Sequence, residues 1–364
     1  MRIRFSTHGI LLSIMALLAA DVMAAPQYSI RDLGVPYDDG RGRSYGTAIA
    51  DTGYITGNWS SGTALDEKGL IWNPAGAMSG LILSAGRTIP RDINDFGQVA
   101  GSYTGSSLYD NRAFVYTGST VVDLGHLGGG SASANGINNA MTVVGSSSAA
   151  DGSDRAFVWQ NGSMSALASL GGQWSGANDI NNSVDIAGYS STANGTSRAV
   201  LWRAAGAPID LGDLGGGSAN AQAINSSGQI TGYSANDDGW QHAFLWSSGT
   251  LVDLMPGFSG YSYGFDVNRF GSVVGMMSSG AFLWQAGDLV NLSAAMVGSG
   301  WRIYDARGIN DSGQIVGSGW NPDGQFRAYV LTPVPEPETY AMMLAGLGLM
   351  SFVARRRKQQ KATA

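Results

Sequence analysis

The sequence has no cysteine and few side chains suited to acid–base chemistry. Its 364 residues include 3 His, and charged residues make up 13%. The absence of cysteine excludes disulfide bridges and thiolate metal sites. Between the two terminal segments, Lys68 is the only lysine, and 14 basic residues face 24 acidic ones. This acidic balance argues against a nucleic-acid partner, because phosphates need a basic face.

Glycine and apolar residues are abundant. The 54 glycines could indicate disorder, but the 44% hydrophobic fraction and 10 tryptophans indicate a packed core.

Three short motifs recur along the chain. The stretch Ala223–Leu254 shows all of them: Ile224-Asn225-x-x-Gly228-x-Ile230-x-Gly232, then Ala243-Phe244-Leu245-Trp246, then Val252-Asp253-Leu254. The first motif occurs seven times, at spacings of 42 to 44 residues, and its apolar residue is Ile49, Ile93, Ile137, Ile180, Ile224, Val267 or Ile309. We number the corresponding units 1 to 7.

Each unit reads as strand, turn, strand, turn. Asn at the start of a tight turn and Gly at its end favour a hairpin, and Asn161-Gly162 and Asp238-Gly239 favour further hairpins. The Ala-Phe-Leu-Trp motif is apolar without alternation, which is typical of a strand buried on both faces. A four-stranded unit of this length predicts an all-β, seven-bladed β-propeller over residues 25–333.

The order of the motifs predicts how the ring closes. The chain after residue 24 begins with a strand at Tyr28–Gly34, and unit 7 lacks its own Asp-Leu strand. We expect the N-terminal strand to complete the last blade, which leaves no open sheet edge. A solenoid is the alternative, but it needs capping units at both ends.

The two ends have the features of export signals. Residues 1–24 predict a secretory signal, with a basic start, an apolar run and a small-residue site for signal peptidase at Ala24. Residues 334–364 contain Pro335-Glu336-Pro337, a short apolar run over 340–354 and the basic cluster Arg355, Arg356, Arg357 and Lys358. The run is shorter than the roughly 20 residues of a stable span, so we expect transient insertion in the inner membrane.

This tail resembles the PEP-CTERM sorting signal in all three parts. The resemblance implies recognition by an exosortase, cleavage near Pro335–Pro337, and release to the surface or matrix of a Gram-negative bacterium that makes an exopolysaccharide. An ordinary tail anchor is the alternative.

The body resembles the HAF-repeat family of extracellular proteins. The His-Ala-Phe motif is intact at His242-Ala243-Phe244, with arginine in the histidine position elsewhere, and Leu-Gly-Gly recurs at 127–129, 170–172 and 214–216. The resemblance implies architecture and no specific activity.

Candidate catalytic residues are few. His242 occupies a repeat position, so we predict a structural contact, and we expect His126 to be a solvated loop residue. Ser44 and Ser262 lie in Gly-x-Ser-x-Gly matches without a following helix, which argues against hydrolase nucleophiles. Asp-rich loops at 151–154 and 236–239 favour turns over calcium ligation. We therefore predict no enzyme activity, no cofactor and no metal site.

Aromatic residues outside the core motifs are the remaining functional signal. Tyr45, Trp174, Tyr261, Tyr263 and Trp301 are predicted in unit-to-unit loops, and Trp240 in the long loop before a third strand. Both loop classes should emerge on one face, where these residues could bind a ligand or merely cover their own blades. The sequence thus predicts a structural or interaction module that contacts an exopolysaccharide or a surface protein. A carbohydrate-binding propeller is one alternative, and a propeller hydrolase or lyase is another.

Overall fold

A computed structural model describes residues 27–36, 42–62, 67–83, 86–104, 110–296 and 299–334. Tyr28–Pro333 forms one compact unit. The predicted signal peptide with its cleavage site at Ala24, and the sorting residues Pro335, Glu336, Pro337, Arg355, Arg356 and Arg357, lie outside the described residues.

The described chain folds as an all-β propeller with four-stranded blades, in which strands follow one another in antiparallel order. Units 1 and 2 comprise β2 (Arg43–Ile49), β3 (Ile55–Ser60), β4 (Glu67–Trp72), β5 (Met78–Leu81), β6 (Thr88–Ile93), β7 (Val99–Thr104), β8 (Asn111–Tyr116) and β9 (Val121–Asp123). Units 5 and 6 comprise β18 (Gly215–Ile224), β19 (Ile230–Asn236), β20 (Gln241–Ser247), β21 (Thr250–Asp253), β22 (Ser262–Val267), β23 (Val273–Met277), β24 (Gly280–Gln285) and β25 (Asp288–Asn291). A one-turn helix follows at Leu292–Ala295.

Units 3 and 4 form one larger sheet. It contains β10 (Gly128–Ile137), β11 (Val143–Ala149), β12 (Asp154–Gln160), β13 (Ser163–Ala166), β14 (Gly171–Ile180), β15 (Asp185–Thr192), β16 (Ser197–Arg203) and β17 (Pro208–Asp210). A single parallel pair, Asp154 with Trp174, joins its two halves. The prediction of seven separate blades is therefore wrong for the described sheets: five are four-stranded, and one has eight strands.

The N-terminal strand completes the last sheet, as predicted. β1 (Tyr28–Asp32) pairs antiparallel with β28 (Phe326–Pro333), beside β27 (Ile315–Trp320) and β26 (Arg302–Ile309). Tyr28 lies opposite Pro333 and Asp32 opposite Tyr329. This sheet contacts unit 1, where the backbone N–H of Ala328 donates to the Ser44 hydroxyl at 3.0 Å.

The third strands form the core between neighbouring units. Phe114, Phe157, Phe244 and Phe282 of the Ala-Phe-Leu-Trp strands are fully buried. Each packs with apolar residues of an adjoining unit, as Phe282 does with Ala223 and Ala243. Burial of apolar area on both faces of a strand explains why this motif does not alternate.

One glycine of each unit is required by a close approach between strands. The glycines two residues after the apolar start of the second strand are Gly57, Gly101, Gly145, Gly188, Gly232, Gly275 and Gly317. A Cβ on Gly57 would lie 2.0 Å from the carbonyl oxygen of Tyr45, and the other six meet a first-strand oxygen at similar distances. Each of these contacts lies at a register shift of the first strand, such as that between Gly46 and Ala48. A side chain cannot fit at these bulges.

Asparagine side chains link the units around the ring. Asn225 Oδ1 accepts from the backbone N–H of Ser227 and Gln229, which fixes its own turn. Its Nδ2 donates to the carbonyl oxygen of Asn268 in the next unit at 2.7 Å. The same bond runs from Asn94, Asn138, Asn181, Asn268 and Asn310 to the following unit. The turn motif therefore also holds neighbouring units together, a role that local turn chemistry did not predict.

Candidate ligand site at the channel mouth

Residues of all seven first strands surround a central cavity of about 460 Å³. Its polar lining includes Asn58, Asn135, Asn178 and Gln222, and Tyr45 also lines the cavity. A smaller cavity of about 190 Å³ lies among the Asn-x-x-Gly turns. We call the side of the ring with these turns the turn face, and the side where the first strands begin the loop face.

The predicted aromatic residues lie on the loop face, but their local structure differs from the prediction. Tyr45, Trp174 and Tyr263 belong to the first strands β2, β14 and β22 and not to loops. Tyr261 and Trp240 directly precede β22 and β20, and their rings meet edge to face at 5.0 Å. This contact confirms that the two loop classes emerge on the same side.

These aromatic side chains differ in exposure and in partners. Trp174 and Tyr261 are about half exposed, at 54% and 47%. Tyr263 contacts Tyr233 at 5.0 Å and stacks on Phe265, which lines the cavity. The structure therefore does not bring all the predicted site residues into a single cluster.

Trp301 does not belong to the exposed surface. It is 9% exposed and packs with Leu292, Met296 and Ile303 in the core, with its ring 6.1 Å from that of Tyr329. The one-turn helix at Leu292–Ala295 supplies part of this apolar environment. The prediction of a surface position for Trp301 is wrong, because this segment folds back as core.

A second aromatic cluster lies where the last sheet meets unit 1. Phe326 contacts Trp320 at 4.9 Å, Tyr45 at 5.2 Å and Tyr304 at 6.0 Å. Arg302 lies over the Trp320 ring at 4.7 Å. We call Tyr45, Tyr304, Trp320 and Phe326 the mouth cluster, because Tyr45 also lines the cavity. Sequence reasoning placed Tyr45 on this face but did not predict the cluster.

Three arginines line the cavity beside the mouth cluster. Arg87 Nε donates to Glu67 Oε2 at 2.8 Å, and Arg307 Nε donates to Asp305 Oδ2 at 2.7 Å. Arg307 also lies over the Phe265 ring at 4.1 Å. The guanidinium of the third, Arg91, has no hydrogen bond or ion pair to any residue that the structure describes. Desolvation in the cavity and the positive charge of Arg307 lower the pKa of Arg91, although its side chain remains exposed to the cavity.

Three half-buried carboxylates line the deeper part of the cavity. Asp92, Asp179 and Asp266 precede the repeat's apolar residue in units 2, 4 and 6. Each accepts from the backbone N–H of its own next residue and of the following unit, at 2.7–2.8 Å. Burial raises the pKa of Asp179 to about 6 and that of Asp266 to about 7. Burial and the nearby Asp179 charge raise the pKa of Asp92 well above its usual value.

His242 has the structural contact that the repeat predicted. The side chain is 1% exposed, its Nδ1 lies 2.9 Å from Asp253 Oδ2, and its Nε2 lies 2.9 Å from the carbonyl oxygen of Phe258. His126 is exposed, but its Nδ1 accepts from the backbone N–H of Gly128 and Gly130. It is therefore a turn-capping residue as well as a loop residue.

The serines of the Gly-x-Ser-x-Gly matches are fully buried within first strands. Ser44 and Ser262 accept from the backbone N–H of Ala328 and Ala243, each in the preceding unit. Both serines hold the same place in the repeat, five residues before its apolar residue. In the Asp-rich loop, Asp151 accepts from Ser153, which is turn chemistry.

Comparisons with known proteins support the sorting signal and the fold. The PEP-CTERM protein-sorting motif matches residues 333–358. This signal marks the chain as a secreted, exosortase-sorted protein of the Gram-negative cell surface. Among the described residues, no helix is long and apolar enough to cross a membrane. No curated protein matches this chain.

Among solved structures, similar folds include the β-propeller domain of the Trilobed protease from Pyrococcus furiosus and the WD40 repeats of RRP9. The first has 9% identity and a TM-score of 0.53, over 79% of this chain and 93% of that one. The second has 14% identity and a TM-score of 0.54, over 85% and 99%. The first is described as having an open velcro topology, whereas here β1 pairs with β28. At these identities the similarity shows the propeller fold alone.

Proposed function

We propose that this protein is a non-enzymatic binding module that attaches to saccharide of the exopolysaccharide matrix through its loop face. The observation that carries the proposal is the mouth cluster of aromatic rings beside a cavity lined by amide side chains. Aromatic rings stack on the apolar faces of sugars, and amides bond to hydroxyl groups. The cavity volume is also within the range of small-ligand sites.

Binding fits this cavity better than catalysis. Carboxyl groups with raised pKa values in a cleft are candidates for general acids. Here both oxygens of Asp179 are occupied by backbone N–H groups of two units, and Asp92 and Asp266 repeat the same arrangement. Because this hydrogen-bonding arrangement recurs in units 2, 4 and 6, it supports a structural role for the three carboxyl groups. The hydrolase or lyase alternative therefore has less support.

Two further inferences accompany this proposal, one about the repeat family and one about the number of units. The body's resemblance to HAF repeats remains a prediction, supported by the contacts of His242 and by the repeated turns. We also infer that the ring counts seven units, because a single residue pair joins the halves of the eight-stranded sheet.

Retention on matrix polysaccharide tests the proposed function. We expect the double variant Tyr45→Ala and Trp320→Ala to bind about tenfold more weakly than the unmodified protein, since two stacking rings are lost. The double variant Trp240→Ala and Tyr261→Ala reports on the second aromatic pair of the same face, together with Trp174→Ala. The matched control is Phe96→Ala with Phe270→Ala, two turn-face side chains that are 68% and 65% exposed. Loss of retention in the control alone would mean that the binding site lies on the turn face and not on the loop face.

A further inference from the structure

The three arginines that line the cavity differ in their ion-pair partners. Of three guanidinium groups, Arg87 and Arg307 each have a carboxylate partner, Glu67 and Asp305. Arg91 has none among the described residues, although it lies in the same cavity. Within the described part of the chain, Arg91 is therefore the one arginine of the cavity without an ion pair, although Asp92, Asp179 and Asp266 also line the cavity. The Arg91 side chain is exposed to the cavity, so its guanidinium is open to a ligand.

The three aspartates deeper in the cavity do not serve as that partner. Asp92 follows Arg91 in sequence, but its two oxygens accept from the backbone N–H groups of Ile93 and Ile137. Asp179 and Asp266 are engaged in the same way with their own units. The Arg91 guanidinium therefore keeps its donors available to the cavity.

We propose that the cavity binds the carboxylate of an acidic sugar through Arg91, which rests on the proposed saccharide function and names its ligand class. The planar guanidinium offers two parallel N–H donors that match the two oxygens of a carboxylate. The sugar ring lies towards the mouth cluster, and Asn135, Asn178 and Gln222 offer amide groups to its hydroxyls. Arg87 and Arg307 flank the carboxylate while remaining paired to their own acids.

The overall charge of the protein restricts this ligand further. The chain between its terminal segments carries ten more acidic than basic residues, so a densely charged polyanion is repelled at long range. A single uronate residue, at a chain end or a branch, carries one negative charge and matches the one unpaired guanidinium. The proposed exopolysaccharide ligand is therefore a chain with isolated acidic sugars.

Titration calorimetry with three small probes tests the assignment. Glucuronate carries both the ring and the carboxylate, glucose carries only the ring, and acetate carries only the charge. We expect glucuronate to bind at least tenfold more tightly than either of the others. Raising the salt concentration should weaken glucuronate binding and leave glucose binding unchanged.

Substitutions of Arg91 isolate the charge. Arg91→Gln introduces the residue type that Gln222 supplies at the same repeat position in unit 5, and Arg91 makes no bond whose loss would disturb the fold. We expect it to remove the preference for glucuronate over glucose, and Arg91→Lys to keep only part of it. Arg203→Gln, which changes an exposed arginine at the end of β16, is the control and should behave as the unmodified protein.

The outcomes separate the two proposals. If glucose binds as tightly as glucuronate, or if Arg91→Gln keeps the preference, the carboxylate assignment is overturned while saccharide binding stands. If acetate binds as tightly as glucuronate, the site takes free carboxylates and the sugar assignment is overturned. If neither sugar binds and matrix retention is also absent, the proposed function fails with it.

Discussion

Asn225 illustrates how one side chain stabilises both a turn and a junction between units. Its amide accepts from two backbone N–H groups of its own turn and donates to the carbonyl oxygen of Asn268, while only 5% exposed. We expect Asn225→Ala to lower the free energy of unfolding by about 2 kcal/mol or more, because buried donors and an acceptor lose their partner. Urea denaturation measures the change.

The neighbouring Ser226 supplies the control, because its exposed side chain lies in the same turn. Ser226→Ala should change the free energy of unfolding by less than about 0.5 kcal/mol. Equal effects of the two substitutions would contradict a role for the Asn225 amide between units.

At the residue scale, the sequence predicted the roles of residues that recur in every repeat unit better than the roles of residues that vary between units. The burial of Phe244 and the polar contacts of His242 follow from the repeat, because every unit must pack in the same way. Arg91 and Asp266 were missed, because each replaces a different residue in neighbouring units and a search for repeats passes over it. The constant 87-residue spacing of Asp92, Asp179 and Asp266 could nevertheless have indicated a shared role for these aspartates.

At the scale of the first strands, the half-buried aspartates Asp92, Asp179 and Asp266 link stability to pH. The folded pKa of Asp266 is about 7, above its unfolded value, so the folded state binds this proton more tightly. The stabilisation is complete below about pH 4 and is lost as the pH rises through 7. We expect the free energy of unfolding to fall between pH 5 and pH 8, by on the order of 2 kcal/mol for this group.

Asp266→Asn should flatten that dependence, because the substituted amide does not titrate. Asp288→Asn, at an exposed position of β25, is the control and should keep the slope of the unmodified protein. Thermal unfolding followed by circular dichroism at several pH values gives the comparison. An unchanged slope in Asp266→Asn would show that another group carries the pH dependence.

Elements were predictable where their sequence motif was strong. The ring closure by β1 followed from the missing fourth strand of unit 7. First strands were longer than expected and took in Tyr45, Trp174 and Tyr263, because glycine-rich segments such as Gly171–Gln173 read as loop but pair at the sheet edge. The parallel pair that merges two sheets left no signal, because it involves only Asp154 and Trp174.

For the whole molecule, the antiparallel pairing of β1 with β28 allows a covalent test. Ser29 lies directly opposite Thr332, and both side chains are exposed. Cα atoms of opposite residues in antiparallel strands are about 4.5–5.5 Å apart, within reach of a disulfide. The chain has no other cysteine, so the double variant Ser29→Cys and Thr332→Cys should give a clean mobility shift on a non-reducing gel and a higher Tm under oxidising conditions.

The control pair is Arg31→Cys with Thr332→Cys, which are diagonal neighbours at about 7–8 Å because Arg31 lies opposite Val330. It should stay reduced under the same conditions. Cross-linking of the diagonal pair in preference to the direct one would mean that the strand register is wrong.

The distribution of the asparagine links also indicates where the ring can open locally. Unit 1 carries Ala50 where the other units carry the linking asparagine, and Ala48 where unit 2 carries Asp92. Its junction with unit 2 therefore has neither of these side-chain links. On the turn face the two units are joined by Thr52, which bonds Asp95 through its backbone N–H and its hydroxyl, and on the loop face by the ion pair of Arg87 with Glu67. Local opening begins where cooperative contacts are fewest. Amide hydrogen exchange should therefore be fastest at the turn-face end of this junction, where local opening gives solvent access to the channel from the side.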